Sequence, residues 1–554
     1  MRQSCPLSAE TRARSTTGLL TGFSVATLLL LQSATLHADQ LIRDLREWLT
    51  PLAIPSAELF SHHVTGTDVA RFYAARDFRP AWSLPERRQR LQQALENLVG
   101  DGLDPDRYPI PDTDAHDWQL CDELTATTSF LQAALHLHFG LIDRARVEPL
   151  WRHEDSDRQA PRRELLERAQ SFLDAPADLF DQARPALPLY QALRQAYVAL
   201  LAQSSLPPWP TVAAGPSLRP GTVDPRVAQL RARLTASAYW VDPVGVEAGE
   251  HPDPHRYDAA LHEAVLSFQR DHALAADGIV GPATLAELNT PRNERVDQLR
   301  VNLERLRWRA REYRPHMVLV DTAGGLLQYY RDGALQWQAR VQVGTAGRRT
   351  PDLLSSVTHF TFNPSWTIPP TIFRHDKLPR IRSEPDYLAR SGLEVLDSDG
   401  QTLDPAQIDW ERPGAVRLRQ PPGPHNPLGR VAIRFPNPFA VYLHDTPSQQ
   451  LFERAQRTVS SGCVRVEHAM NLVDQLIADA SVYSREYIAM VIDRGRTGNI
   501  SLDNPVPLLM DYWTVELNDA GRVISRPDIY RRDRALAQAL REAPPAAVPS
   551  CPQQ

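Results

Sequence analysis

The sequence predicts a multi-domain α+β protein: a helical N-terminal scaffold, a small three-helix module, and a β-rich C-terminal domain interrupted by an inserted cap. Three observations predict it. The chain has 554 residues, enough for two to four domains. Apolar residues recur at three- and four-residue spacing as far as about residue 310, then alternate with period two from Met317 onward. A run rich in Pro and Gly, "SSLPPWPTVAAGPSLRPG", separates the first helical stretch from the next, because neither residue supports a helix interior or a central strand. The formal net charge is −6 and no long Lys/Arg run occurs, which argues against a nucleic-acid groove.

Each element follows in order. Arg2, Arg12 and Arg14 precede an apolar run from Leu19 to Leu31, and small residues follow at Ala34 and Ala38. The run is shorter than the roughly 20 residues that cross a bilayer, so residues 1–38 read as an export signal, with an uncleaved anchor as the lesser alternative. No second run is long enough to span, so no stable membrane span is expected after cleavage. Residues 39–206 form the helical scaffold, with "QLIRDLREWL" and "RLQQALENLV" as amphipathic stretches and "FLQAALHLHFGL" as a core helix. Residues 207–223 are the linker. In the module, 224–290, one helix carries Val227, Leu230 and Leu234 and a second carries Leu261, Val265 and Phe268. A turn at Asp277-Gly278 then leads to Pro282 at a first helical position. Asp277, Gly281 and Thr284 read as turn and cap residues. Residues 291–314 are a connecting helix.

Strands follow within 315–495: "MVLVDTAGGLLQYYRDGALQWQARVQVG" with a hairpin turn at Asp332-Gly333, then "SSVTHFTFNPSWTIPP", "VAIRF", "AVYLHDT" and "YIAMVID". The charged, Pro-rich segment 371–420 interrupts the series and is expected to lie over the sheet as a cap. Residues 496–541 are expected to be a C-terminal extension packed on this domain, and 542–554 a disordered tail.

An exported chain would keep Cys121, Cys463 and Cys551. Three is odd, so at least one thiol stays unpaired within the chain. A Cys121–Cys551 disulfide is not expected, because Cys551 sits in the Pro-rich tail. Cys463 has the surroundings of a nucleophile: "RTVSSGCVRVEHA" places it after Ser461 and Gly462. Gly462 permits an unusual backbone angle and close approach of a substrate. The N–H groups around Ser461, Gly462 and Cys463 are candidates to face an oxyanion. A free thiol titrates near roughly 8.5 and needs a base; His444, ending the strand "VYLH", is the candidate, with His425 in "PPGPHNPLG" the next. No His-Glu-x-x-His occurs, so neither a metal nor another cofactor is expected.

The stretch "DGIVGPATLAELN" resembles the three-helix peptidoglycan-binding module of cell-wall enzymes. "YLHDTP" followed by "RTVSSGCVRV" resembles the signature of the L,D-transpeptidases, with His ahead of a Ser-x-Gly-Cys-x-Arg motif. Many members carry His where this chain has Ser461. The large multi-domain Gram-negative branch is similar there too, and in "NPSWTIPP", "QPPGPHNPLGRVAIRFPN" and "YLHDTPSQQLF".

The resemblance implies that Cys463 is the nucleophile, His444 the general base and acid, and the backbone carbonyl of Asp445 the group that orients the imidazole. Tyr442 and Trp366 are candidate groove residues. Arg465 is a candidate for bracing the loop with a share in substrate binding, and Arg457 and Arg419 are weaker cases of the same kind. It further implies a periplasmic enzyme that makes 3→3 cross-links between peptidoglycan stem peptides, is acylated by carbapenems, and can act as an L,D-carboxypeptidase. Its partners would be a tetrapeptide donor, a diaminopimelate acceptor and other cell-wall synthases. Two rivals remain: a papain-like cysteine amidase, which orders Cys before His, and a non-catalytic wall-binding scaffold protein.

Overall fold

Residues 39–53, 62–115, 118–152, 159–240, 253–480, 483–518 and 520–545 are described by a computed structural model. The expected signal, 1–38, and residues 546–554 of the tail lie outside them. Among the described residues no helix is long and apolar enough to cross a membrane.

The 20-residue helix Leu120–Phe139 is buried on nearly every side, with Glu123, Gln132 and His136 among its buried residues. Helices Gly66–Ala74, Pro85–Glu96, Gln159–Arg168 and Pro176–Ala183 belong to the same region. Their shared core takes in Val301 and Trp308 from the helix Arg292–Ala310, and Leu536 and Leu540 from the C-terminal helix Asp533–Glu542. The expected connecting helix is therefore a central element of the fold. Glu304 and Arg307 of that helix are 0 % exposed and pair at 2.6 Å. Arg305 binds both Glu148 and Asp533 at 2.6 Å. Charges can be buried in this way only when paired.

The small module has helices Arg226–Ala236, Ala259–Asp271 and Pro282–Leu288 around one apolar cluster that contains the expected faces. The linker joins this cluster: Val212 and Leu218 are buried in it, and Leu218 bridges Val280. Pro-rich chain cannot build a ladder, but it can lie extended and make single bridges. Gly278 has φ +67°, and a Cβ there would stand 2.0 Å from His262 Nε2. Asp277 accepts the N–H of Ile279 at 2.9 Å, and Gln269 donates to Thr284 Oγ1 at 3.1 Å, so these residues are used in turns and packing.

The strands are β1 (Trp151–Arg152), β2 (Met317–Asp321), β3 (Leu326–Arg331), β4 (Ala334–Gly344) and β5 (Leu353–Phe362). The cap contributes β6 (Trp366–Thr367), β7 (Glu394–Leu396), β8 (Thr402–Leu403) and β9 (Arg417–Gln420). Then come β10 (Val431–Arg434), β11 (Leu443–His444), β12 (Thr458–Ser460), β13 (Val464–Val466) and β14 (Gly498–Asp511). β15 (Val515–Leu517) and β16 (Val523–Ser525) make a separate hairpin. Among the described residues the main ladder runs β5-β10-β11-β13-β4-β3-β2-β14, and β14 also pairs with β5, so the sheet closes on itself. Closure leaves no bare edge along that circuit. β1, from the helical region, adds in parallel to β5.

Three expectations change. "YIAMVID" lies in a helix, Arg485–Asp493, because Ser484 caps it by accepting the N–H of Tyr487. The segment 496–541 does more than pack on the sheet, since β14 is one of its strands. The cap begins at Trp366 and has its own sheet, ordered β6-β9-β7-β8, and its own core of Ile368, Phe373, Ile381, Tyr387, Leu388, Leu393, Val395 and Leu418.

Candidate active site

β11 and β13 run parallel, with Leu443 opposite Val464 and His444 opposite Arg465. Leu443, Val464 and Val466 are in the core at 0 % exposure. Side chains alternate along a strand, so Tyr442, His444, Cys463 and Arg465 share the other face. The Val464 N–H donates to the Tyr442 carbonyl at 3.1 Å, which fixes Cys463 beside Tyr442. The sequence-predicted nucleophile and base thus lie on neighbouring strands about 4.8 Å apart.

His444 is 3 % exposed, and its Nδ1 donates to the Asp445 carbonyl at 2.6 Å. That bond fixes the tautomer and leaves Nε2 as a proton acceptor. Burial, helped by the Arg465 and Arg434 charges, pushes the imidazole down to about 3, so it is neutral at neutral pH. Cys463 is half-buried and is the free cysteine among the described residues. Burial raises its thiol above the ordinary range, opposed by the Tyr442 backbone N–H, the Arg434 and Arg465 charges and the Tyr442 hydroxyl. The resting pair is therefore thiol and neutral imidazole rather than an ion pair. Cys121 is disulfide-bonded, and its partner lies outside the described residues.

Gly462 has φ +115°, a region that favours glycine. Its N–H donates to Ser460 Oγ at 3.1 Å, and Ser460 in turn donates to the Cys463 carbonyl at 2.5 Å. Of the three expected oxyanion donors, Gly462 is therefore already engaged. The N–H groups of Ser461 and Cys463 find no acceptor among the described residues.

Tyr442 contacts the His444 ring edge-on at 5.6 Å, and Arg434 stacks on Tyr442 at 4.1 Å. Arg465 donates to the buried Gln342 at 3.2 Å, while its buried Nε has no partner. Trp366 packs instead against the cap's own core and lies under Lys377 Nζ at 5.6 Å. Arg457 donates to the carbonyls of Gly324 and Gly325 at 3.1 Å and so braces a turn. Arg419 pairs with Glu394 at 2.8 Å within the cap. His425 is exposed on the loop after β9.

The sequence reading missed the supports of the nucleophile loop. The Thr350 hydroxyl donates to the Gly462 carbonyl at 3.0 Å, and Tyr530 donates to the Gly344 carbonyl at 2.9 Å while accepting the Thr350 N–H at 3.2 Å. It also missed Arg348, which pairs with Asp376 of the cap at 2.7 Å and donates to Ser461 Oγ at 3.0 Å. "GRRTPD" and "FRHDK" carry no local signal that they meet. Arg348→Ala is expected to release the cap: amide exchange over 370–383 should quicken about threefold to fivefold, the worth of a half-exposed ion pair. Unchanged exchange there, measured by mass spectrometry, would show that Arg348 does not hold the cap.

Residues 315–483 match the L,D-transpeptidase catalytic domain family, 223–288 a peptidoglycan-binding domain family, and 67–196 a scaffold domain family. A Haemophilus influenzae protein named as an L,D-transpeptidase is 37 % identical over 223 residues, 40 % of this chain and 45 % of that protein. The chain thus spans less than half of that relative's length. N-acetylmuramoyl-L-alanine amidase CwlM of Mycobacterium tuberculosis is 28 % identical over 187 residues, 32 % of this chain and 39 % of that protein. The solved L,D-transpeptidase from Mycobacterium smegmatis is 14 % identical, covering 36 % of this chain and 58 % of that one, with a TM-score of 0.16.

Proposed function

Since the chain carries an L,D-transpeptidase catalytic domain and a peptidoglycan-binding domain, we propose that it is a periplasmic cysteine acyltransferase that joins peptidoglycan stem peptides by 3→3 cross-links. The observation that carries this reading is the shared face of Cys463 and His444, with the imidazole held by the Asp445 carbonyl and kept neutral. A neutral imidazole beside a protonated thiol can take the proton as the sulfur attacks, and need not store a charge beforehand.

In this mechanism His444 Nε2 removes the thiol proton while Cys463 Sγ attacks the carbonyl of diaminopimelate, the third residue of a donor tetrapeptide. The N–H groups of Ser461 and Cys463 receive the developing oxyanion. The C–N bond to the terminal D-Ala breaks, His444 returns the proton to the departing amine, and a thioester remains. The side-chain amine of a second diaminopimelate then attacks. The new C–N bond forms as the C–S bond breaks, and His444 passes the amine's proton back to sulfur. Water in place of the amine gives carboxypeptidase activity, and a carbapenem carbonyl would acylate the same sulfur. Tyr442 lines the reacting groove, Arg465 braces it and shares in holding a substrate carboxylate, and the peptidoglycan-binding module keeps the enzyme on the wall. Other cell-wall synthases are the expected protein partners.

The test is mass spectrometry of disaccharide tetrapeptide incubated with purified protein. Loss of D-Ala, together with a dimer linked between diaminopimelates, is expected. Release of the whole stem peptide from its sugar would instead identify an amidase, and an unchanged substrate would identify a binding protein.

A further inference from the structure

A cleft of about 670 Å³ lies between the helical region and the catalytic sheet, lined among others by Trp151, Arg349, Phe439 and Arg531. We infer that it is the acceptor-side subsite, and that it takes the carboxylate-bearing stem peptide whose amine resolves the acyl-enzyme. This deepens the transpeptidase reading and rests on it.

Position is the first argument. Phe439 is the chain neighbour of Ala440, whose carbonyl lies 4.0 Å from Cys463 Sγ. The Arg349 carbonyl would stand 3.5 Å from a Cβ placed on Gly462. The cleft wall and the nucleophile loop are therefore in contact. Adjacent residues of one loop serve opposite sides: Arg348 reaches the cap at Asp376, whereas Arg349 lines this cleft. The loop beside the sulfur thus borders the cap on one side and this cleft on the other. A two-step acyl transfer needs two sides, because the acceptor must arrive while the donor still occupies its own side.

Chemistry is the second argument. The cleft's carboxylates are already neutralised: Glu148 by Arg305 at 2.6 Å, and Asp352 by Arg532 at 2.6 Å. Arg349 and Arg531 are exposed and pair with no carboxylate among the described residues. Beside them Phe439, 46 % exposed, meets Trp151 edge-on with ring centroids 6.1 Å apart. Arg349 donates to the Ala346 carbonyl at 3.2 Å and lies over the Tyr530 ring at 5.6 Å, so two guanidiniums without a carboxylate partner stand next to an aromatic surface, which suits an extended peptide that carries carboxylates. The Trp151 N–H donates to the Asp352 carbonyl at 3.2 Å, and the β1–β5 pair continues from there.

The experiment separates the two half-reactions of the full chain. Single-turnover assays with the tetrapeptide donor measure formation of the thioester, and steady-state assays with an acceptor stem peptide measure the dimer. Arg349→Glu and Arg531→Glu should each lower kcat/KM for the acceptor about tenfold and divert product toward hydrolysis, with thioester formation changed by less than about twofold. An acceptor with amidated carboxylates should be a poorer substrate for the wild type, and the two variants should not discriminate against it. Equal losses in both half-reactions, or unchanged dimer formation, would overturn the assignment. A wild-type protein that forms no thioester would overturn the transpeptidase reading itself, and the subsite with it.

Discussion

Cys463→Ala is expected to abolish both dimer formation and D-Ala release, by a factor on the order of 10⁴ or more, because no other group on that face can form the acyl-enzyme. Cys463 is the free cysteine among the described residues. Its side chain is small and half-buried, so loss of the sulfur should cost no more than about 1 kcal/mol of stability. The measurement pairs stem-peptide turnover with a thermal melt. Turnover like that of the wild type in a folded variant would remove the thioester from the mechanism.

His444→Ala should fail differently. General acid–base groups contribute about 10²–10⁴ in rate, and in the proposed mechanism this imidazole both takes the thiol proton and returns it to the leaving amine. The direction of the pH effect follows from the two titrations. The imidazole is pushed down to about 3, so in the wild type it stays an available base as pH falls from 8 to 5. Acid loss of the base is expected only as pH approaches 3. The thiol is raised by burial, so spontaneous thiolate appears only on the alkaline side of its ordinary range. Without His444 the reaction must wait for that thiolate. Labelling of His444→Ala by iodoacetamide should be slow near neutrality and climb with pH. Stem-peptide turnover should recover much less, because alkylation needs no proton for its leaving group. Parallel pH profiles check this; a variant that labels and turns over like the wild type at every pH would return the role of base to another group, with His425 next.

The geometry of the candidate site was legible where it was local. Cys463, Gly462 and the strand ending at His444 are each written within a few residues, and period-two alternation then puts Cys463 and His444 on one face. What the sequence concealed is carried by long-range pairs. Tyr530 supports the loop at Gly344 across 186 positions, and nothing in "RPDIYRR" announces it. The helix Arg292–Ala310 reads in the sequence as a connecting helix, yet Glu304 and Arg307 are wholly buried because each is the other's partner. "YIAMVID" is apolar enough for a strand, and its fate was decided by the hydroxyl of Ser484 at the preceding cap. Trp366 sits in a motif near the catalytic sheet, but the cap recruits it for a core of its own.

The return of β14 to β5 has a consequence for synthesis. Residues 498–511 supply the strand that joins β2 to β5, and the central helix waits for Asp533 to neutralise Arg305. A chain emerging from its N-terminus can build the helical region's early helices at once. Its catalytic sheet, by contrast, has two unpaired edges until more than 500 residues have appeared. During that interval β2 and β5 are open templates for other strands. A fragment ending at 483 would keep them open permanently, so it should form aggregates where the longer chain folds. The loop that carries Cys463 is likewise unbraced until Tyr530 has been made, 186 positions after the Gly344 carbonyl it supports.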